Sequence, residues 1–144
     1  MKNKFLIALS AFALFSCSED DFSQAGAQPI DYKVSVTYDE TFDNLAAKNI
    51  TVKLKNTNTS DEYTMATDAQ GNANFGSILP GTYDINATVT LSAAEFNATF
   101  GYAPETEEVV FNANLNQIVV NTNNTMSSLT LKTSYEEVDV YIYK

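Results

Sequence analysis

The sequence predicts an all-β protein, an antiparallel sandwich of about seven to nine strands, on three observations. From Ile30 onward apolar and polar residues alternate with period two, most clearly in Ile30-Asp31-Tyr32-Lys33-Val34-Ser35-Val36-Thr37-Tyr38. Such a segment buries one face and wets the other. No long stretch repeats at the 3.6-residue period of an amphipathic helix. Thr and Asn are abundant; β-branched Thr suits the wet face of a strand, and Asn tolerates the left-handed backbone of turns.

Before the strands comes an address. Met1-Lys2-Asn3-Lys4 is a basic segment, and Phe5 to Phe15 is apolar apart from Ser10. These are the n-region and h-region of a secretory signal, too short to span a bilayer. The only cysteine of the chain, Cys17, follows at Leu14-Phe15-Ser16-Cys17. That order resembles the lipobox of bacterial lipoproteins, which implies that residues 1–16 are cleaved and that residues 17–29 follow as a polar, flexible tether. Twelve extended residues, 18–29, reach at most about 40 Å.

The strands are justified in turn by the same alternation. It recurs at Ile50-Thr51-Val52-Lys53-Leu54, over Tyr83 to Leu91, at Leu129-Thr130-Leu131-Lys132, and over Val138 to Tyr143. Shorter strands are expected at 61–67, 72–78, 95–101, 108–115 and 117–122. At most one short helix is expected, within Thr41 to Ala47 or at Ser92 to Glu95. The sandwich would thus occupy residues 30–144 as one domain. The final strand, apolar at alternate positions, should pair inside the sheet or be completed by a partner strand.

Three motifs carry resemblances. Leu14-Phe15-Ser16-Cys17 resembles the lipobox of bacterial lipoproteins, which implies palmitate-type acyl chains on Cys17 and a near-permanent hold on the membrane. Ser18-Glu19-Asp20-Asp21 resembles the acidic export signal of Bacteroidota surface lipoproteins, which implies the outer face of the outer membrane. Thr67-Asp68-Ala69-Gln70-Gly71-Asn72-Ala73-Asn74-Phe75 followed by Leu79-Pro80-Gly81-Thr82-Tyr83 resembles the signature of prealbumin-like sandwiches, among them carboxypeptidase regulatory-like and collagen-adhesin B-type domains. Each residue has a mechanical reason. Asp68 accepts backbone hydrogen bonds across its turn, Gly71 takes a positive φ, and Phe75 points into the core. Pro80-Gly81 fits the centre of a type II turn, and Tyr83 begins the next core-facing alternation. The chain also resembles a Bacteroidota surface lipoprotein with such a module at its N-terminus, and its ending is compatible with a piece of a longer protein.

Composition narrows function by exclusion. Among 144 residues there is no His, no Trp and one Cys, and all eight basic residues are Lys. This leaves no imidazole relay, no bidentate Arg clamp and no disulfide or thiolate metal site. The net charge of −10 argues against nucleic acid. Cleavage before Cys17 leaves six lysines against eighteen acids, or −12 before termini. The Asp68 to Asn74 loop has one carboxylate where calcium wants several, so a plain turn is expected and no metal. The adhesin resemblance implies a possible lysine–asparagine isopeptide bond, but the alternation turns Lys33 toward water with Asp31 and Ser35. Glu105, Glu107 and Glu108, and Glu136 and Glu137, are expected as solvated charge at strand ends rather than a hydrolytic pair. Most tyrosines are in phase with the core; Tyr63, Tyr102 and Tyr135 are the candidates for an exposed patch. The expectation is a non-enzymatic, surface-exposed outer-membrane lipoprotein without cofactor, whose sandwich serves as an interaction or assembly module for a protein partner. The alternative is a glycan- or nutrient-binding accessory of an uptake system.

Overall fold

The computed structural model describes residues 26–104 and 106–134. Strands β1 (Ile30–Tyr38), β2 (Thr51–Asn56), β3 (Glu62–Ala66), β4 (Asn72–Ile78), β5 (Gly81–Ser92), β6 (Glu108–Val120) and β7 (Met126–Leu131) make up the domain, with one helix, α1 (Ala93–Phe100), and a 3-10 turn at Glu40–Phe42. They form two sheets, one of three strands in the order β4-β1-β7 and one of four in the order β3-β2-β5-β6. The all-β sandwich is therefore observed, with seven strands among the described residues.

The alternation read in the sequence decides the core. Tyr32, Val34 and Val36 of β1 face Val52 and Leu54 of β2, Tyr83, Ile85 and Ala87 of β5, and Phe111 of β6 across one continuous hydrophobic interior. Asp31 and Thr37 lie on the wet face of β1, with Lys33 and Ser35 half-buried beside them. All neighbouring strands are antiparallel except β1 and β7, which run parallel. The reason is connectivity. β6 ends at the same end of the sandwich at which β1 begins, and a tight turn, Asn121 to Thr125, starts β7 beside Lys33, whose N–H donates to the Thr125 carbonyl at 3.1 Å.

Two segments differ from expectation. Residues 95–101 form no strand, because α1 covers them. Ser92 accepts from the Glu95 N–H, the Glu95 side chain accepts from the Ser92 N–H, and Gly101 (φ 80°) ends the helix with its N–H on the Asn97 carbonyl. This capping box and left-handed terminus outweigh the β-propensity of Phe96, Thr99 and Phe100. The two strands expected at 108–115 and 117–122 are one strand, β6, which kinks at Gln117 (φ 59°) rather than ending there. The Asp84 carboxylate holds that kink by accepting the Gln117 N–H at 2.9 Å.

The turn motif is built largely as its residue types require. Asp68 Oδ1 accepts the N–H groups of Gln70 and Asn72, each at 2.9 Å. Gly71 sits at φ +81°. Phe75 is half-buried against the margin of the core instead of inside it, because a register shift opposite Tyr32 and Lys33, with Gly76 at φ +65°, moves the inward position to Ile78. Gly81 corrects the expected type II turn: it has no positive φ. What it supplies is room, since a Cβ there would lie 2.8 Å from Asn56 Nδ2. Tyr83 is fully buried, and its hydroxyl donates back to the Leu79 carbonyl at 2.8 Å, which fastens the Pro80 bend in the manner of a tyrosine corner.

The titrations set a pH window. Burial raises the pKa of Tyr32, Tyr38 and Tyr83 above the ordinary 10.0, and hydrogen bonds from Ser127 to Tyr32 and from Asn56 to Tyr83 oppose it in part. The folded state thus prefers the neutral phenols, so their contribution is full below about pH 10 and is lost as pH rises through the raised values. Backbone and side-chain hydrogen bonds from Ser92 lower the pKa of the exposed Glu95 carboxylate. Its contribution is present above the ordinary glutamate value and is lost as pH falls through the lowered one. With no histidine to titrate between them, the thermal midpoint is expected to be flat from about pH 6 to 9. A step near neutrality in a Tm-against-pH series would contradict this.

Candidate functional site

The two ends of the sandwich differ. Residues 26–29 enter at the end formed by the turns 57–61, 79–80 and 121–125. The opposite, far end holds the longer connections: 39–50, the turn 67–71, and 93–107 with α1. Contacts across the sheets fix that far end as one surface: the Val36 N–H donates to the Gly71 carbonyl at 2.8 Å, and the Asn49 N–H to the Thr67 carbonyl at 2.9 Å. Thr67, itself buried, also accepts the Ile50 N–H on its hydroxyl at 2.9 Å.

An aromatic cluster seals this end. Phe42 meets Phe96, Phe100 and Phe111 with ring centroids 6.1, 5.5 and 5.1 Å apart, and Tyr38 meets Phe111 edge-on at 5.1 Å. Tyr102 closes on Phe96 at 5.5 Å. These edge-on and tilted arrangements are the ones that aromatic quadrupoles favour. The apolar side of α1 therefore covers the sandwich mouth like a plug.

Two grooves flank the ridge Tyr38–Glu40 where the plug meets β1. One, about 390 Å³, is lined by Val36, Tyr38, Leu45 and Ala47 with Glu40 and Asp43 at its rim and the turn Ala69–Gln70 opposite. The other, about 720 Å³, lies between β7 and β6 and is walled by polar groups, among them Thr37, Asn114, Ser128 and Thr130. Among the described residues the bridge Asn112–Lys132 ties β6 to the end of β7, and the bridge Asn121–Asn124 closes the turn between the two strands.

Charge is segregated as well. Asp39, Glu40, Asp43, Asp68, Glu95, Glu107 and Glu108 belong to the far end, where Lys48 and Lys132 are the lysines among the described residues. Lys132 lies 4.0 Å from Asp39. The described acids toward the tether end, Asp31, Asp61, Glu62 and Asp84, are interleaved with Lys33, Lys53 and Lys55. Among the described residues no three acids come close enough to hold a metal ion.

The residues singled out in the sequence are thereby placed. Asp68 and Gly71 form the far-end turn, while Pro80, Gly81 and Tyr83 form the tether-end bend, so the motif serves both ends rather than one site. Tyr63 and Tyr102 make no free-standing patch. Tyr63 pairs with Leu54 across the strands and packs on the core, and Tyr102 rests on Phe96. Glu107 and Glu108 are exposed at the start of β6. Cys17, Ser18, Glu19, Asp20 and Asp21 lie outside the described residues, as do Glu105, Tyr135, Glu136, Glu137 and the expected strand Val138 to Tyr143. Sequence reasoning missed the groove beside Tyr38. Its residues come from β1, the 39–50 connection and the turn after β3, and only the closure of the two sheets brings them together.

Comparison with known proteins supports the fold. Fervidolysin from Fervidobacterium pennivorans, a keratinolytic enzyme related to subtilisin, contains a similar region: TM-score 0.52 and 20% identity over 72% of this chain and 16% of that one. A candidate adhesin from Bacteroides ovatus aligns with TM-score 0.48 and 12% identity over 83% of this chain and 49% of that one. Klebsiella pneumoniae 5-hydroxyisourate hydrolase aligns with TM-score 0.39 and 15% identity over 75% of this chain and 99% of that one. The chain thus spans 16% and 49% of the first two proteins it resembles. No protein-family model matches the sequence, and no curated protein does. At 20% identity the fervidolysin match concerns the fold alone, shared with 16% of that longer chain.

Proposed function

We propose that the chain is a non-enzymatic lipoprotein of the outer membrane, anchored through Cys17 and displayed on the cell surface, whose sandwich is an interaction module working through its far end. One observation carries this reading: the polarity of the fold. Residue 26 lies at one end, and the longer connections, the two grooves beside the Tyr38–Glu40 ridge and the unbalanced acids lie at the other, while a smaller hollow of about 330 Å³ by Asp31, Lys33 and Asn74 faces the entry end. β1 alone spans about 30 Å at 3.3 Å per residue, so an anchored tether would hold the far end well clear of the bilayer. Anchoring raises the effective concentration of such a surface for partners in the same membrane or close to it. Further support comes from the composition, which offers no imidazole and places the single cysteine where acylation uses it.

The test follows the anchor and the display together. In cells fed an alkyne fatty acid, the full chain is expected to take label and Cys17→Ala to take none. Proteinase K added to intact cells should degrade the wild type, and alanine in place of Ser18, Glu19, Asp20 and Asp21 should protect it. Labelling of Cys17→Ala, or a wild type resistant on intact cells and digested only after lysis, would overturn the reading. Binding of the protein to a glycan array would move it to the glycan-capture alternative.

A further inference from the structure

We infer that the groove beside Tyr38 takes an extended protein segment in which an apolar side chain is flanked by lysine or arginine. The inference rests on the reading of the domain as an interaction module and gives its partner a chemistry. The groove sets the apolar side chains of Val36, Leu45 and Ala47 beside the polar groups of Thr37, Tyr38 and Gln70, and its volume of about 390 Å³ admits one or two side chains. Glu40 and Asp43 stand exposed at the rim, and among the described residues neither has an ion-pair partner.

The groove is also preformed. Its far wall is fastened by the Val36–Gly71 backbone bond at 2.8 Å, and its near wall by Leu45 N–H on the Phe42 carbonyl at 3.0 Å and Lys48 N–H on the Ala46 carbonyl at 2.8 Å. A partner would therefore find the walls already ordered and lose little affinity to ordering them. The rim carboxylates select its sign. An anionic segment would be repelled, and a neutral glycan would meet the two carboxylates through hydroxyl hydrogen bonds alone, whereas lysines on either side of an apolar anchor would add opposite charge at Glu40 and Asp43. A bare cation is the poorer complement, because no three acids among the described residues converge on one point.

The test uses the full chain with Cys17→Ser, purified in nonionic detergent, and a fluorescein-labelled hexapeptide of one leucine among lysines, read by anisotropy. Binding is expected, and it should weaken at least tenfold when serine replaces the leucine, when glutamates replace the lysines, or when salt is raised to about 0.5 M, where screening is strong. The double variant Glu40→Lys, Asp43→Lys should lose at least tenfold in affinity. Asp61→Lys, Glu62→Lys, the same charge change at the tether end, should stay within twofold of wild type. Unchanged circular dichroism melting of both variants would show that each still folds. Equal losses in the two double variants, equal binding of the leucine and serine peptides, or no peptide binding would each overturn the inference. These outcomes leave the interaction-module reading standing. That reading fails instead if intact cells shield the protein from protease, a result that leaves the peptide measurement untouched.

Discussion

Phe96→Ala is expected to destabilise the domain by about 3–5 kcal/mol, the usual cost of removing a buried phenylalanine. Phe96 is fully buried, and its ring contacts those of Phe42, Phe100 and Tyr102, with centroids 6.1, 4.7 and 5.5 Å away. Neighbouring rings are rigid and cannot collapse into the space it would leave, so the cavity cost adds to the lost burial. The loss is large against the 5–15 kcal/mol that a domain typically has in total. Since Phe96 is the one buried side chain of α1, the helix should also loosen. Limited proteolysis is therefore expected to cut the variant between residues 93 and 107 well before the strands. Phe96→Leu keeps most of the volume and should cost less than about 1.5 kcal/mol. Urea unfolding of the three proteins tests this through their midpoints, and a Phe96→Ala midpoint close to that of Phe96→Leu would refute the plug.

How much of this was legible in the sequence depends on the range of the signal. β1 is read to the residue because its nine positions alternate without a break and half of them must face the core. The Asp68–Gly71 turn is equally local, since the carboxylate that bonds two N–H groups and the glycine that takes the positive φ are three residues apart. α1 was half visible. Ser92 and Glu95 have capping-box spacing and Gly101 marks the stop, but Phe96, Thr99 and Phe100 favour strand, and only the tertiary contacts of Phe96 decide between them. The Pro80-Gly81 pair points to a turn, yet Gly81 is required by the side chain of Asn56, twenty-five residues earlier. The groove beside Tyr38 had no sequence signal, because its walls meet through β1, the 39–50 connection and the turn after β3. The parallel β1–β7 pair was hidden for the same reason: period two reports which face is buried and carries no information about strand order.

Gly71→Ala should destabilise by about 3 kcal/mol or more, from two costs that add at one atom. Any L residue at φ +81° pays about 1–2 kcal/mol for the left-handed backbone. The new Cβ would also lie 2.6 Å from the Val36 carbonyl oxygen, which is backbone and cannot swing away as a side-chain tip would. Relieving the contact means moving the turn off β1, which breaks or stretches the 2.8 Å bond from the Val36 N–H to the Gly71 carbonyl, a further loss of about 0.5–1.5 kcal/mol. Gly76→Ala separates the two costs. It has φ +65° but nothing within 4 Å of a built Cβ, so it should pay the backbone part alone, about 1–2 kcal/mol. Denaturant unfolding of both variants should therefore rank Gly71→Ala clearly below Gly76→Ala, and equal midpoints would mean that β1 and the turn are not in close contact. The same displacement carries Ala69 and Gln70 away from Tyr38 and opens the wall of the groove. Gly71→Ala should accordingly weaken the lysine–leucine peptide even at temperatures where the domain remains folded, whereas Gly76→Ala, away from the groove lining, should bind it as wild type does.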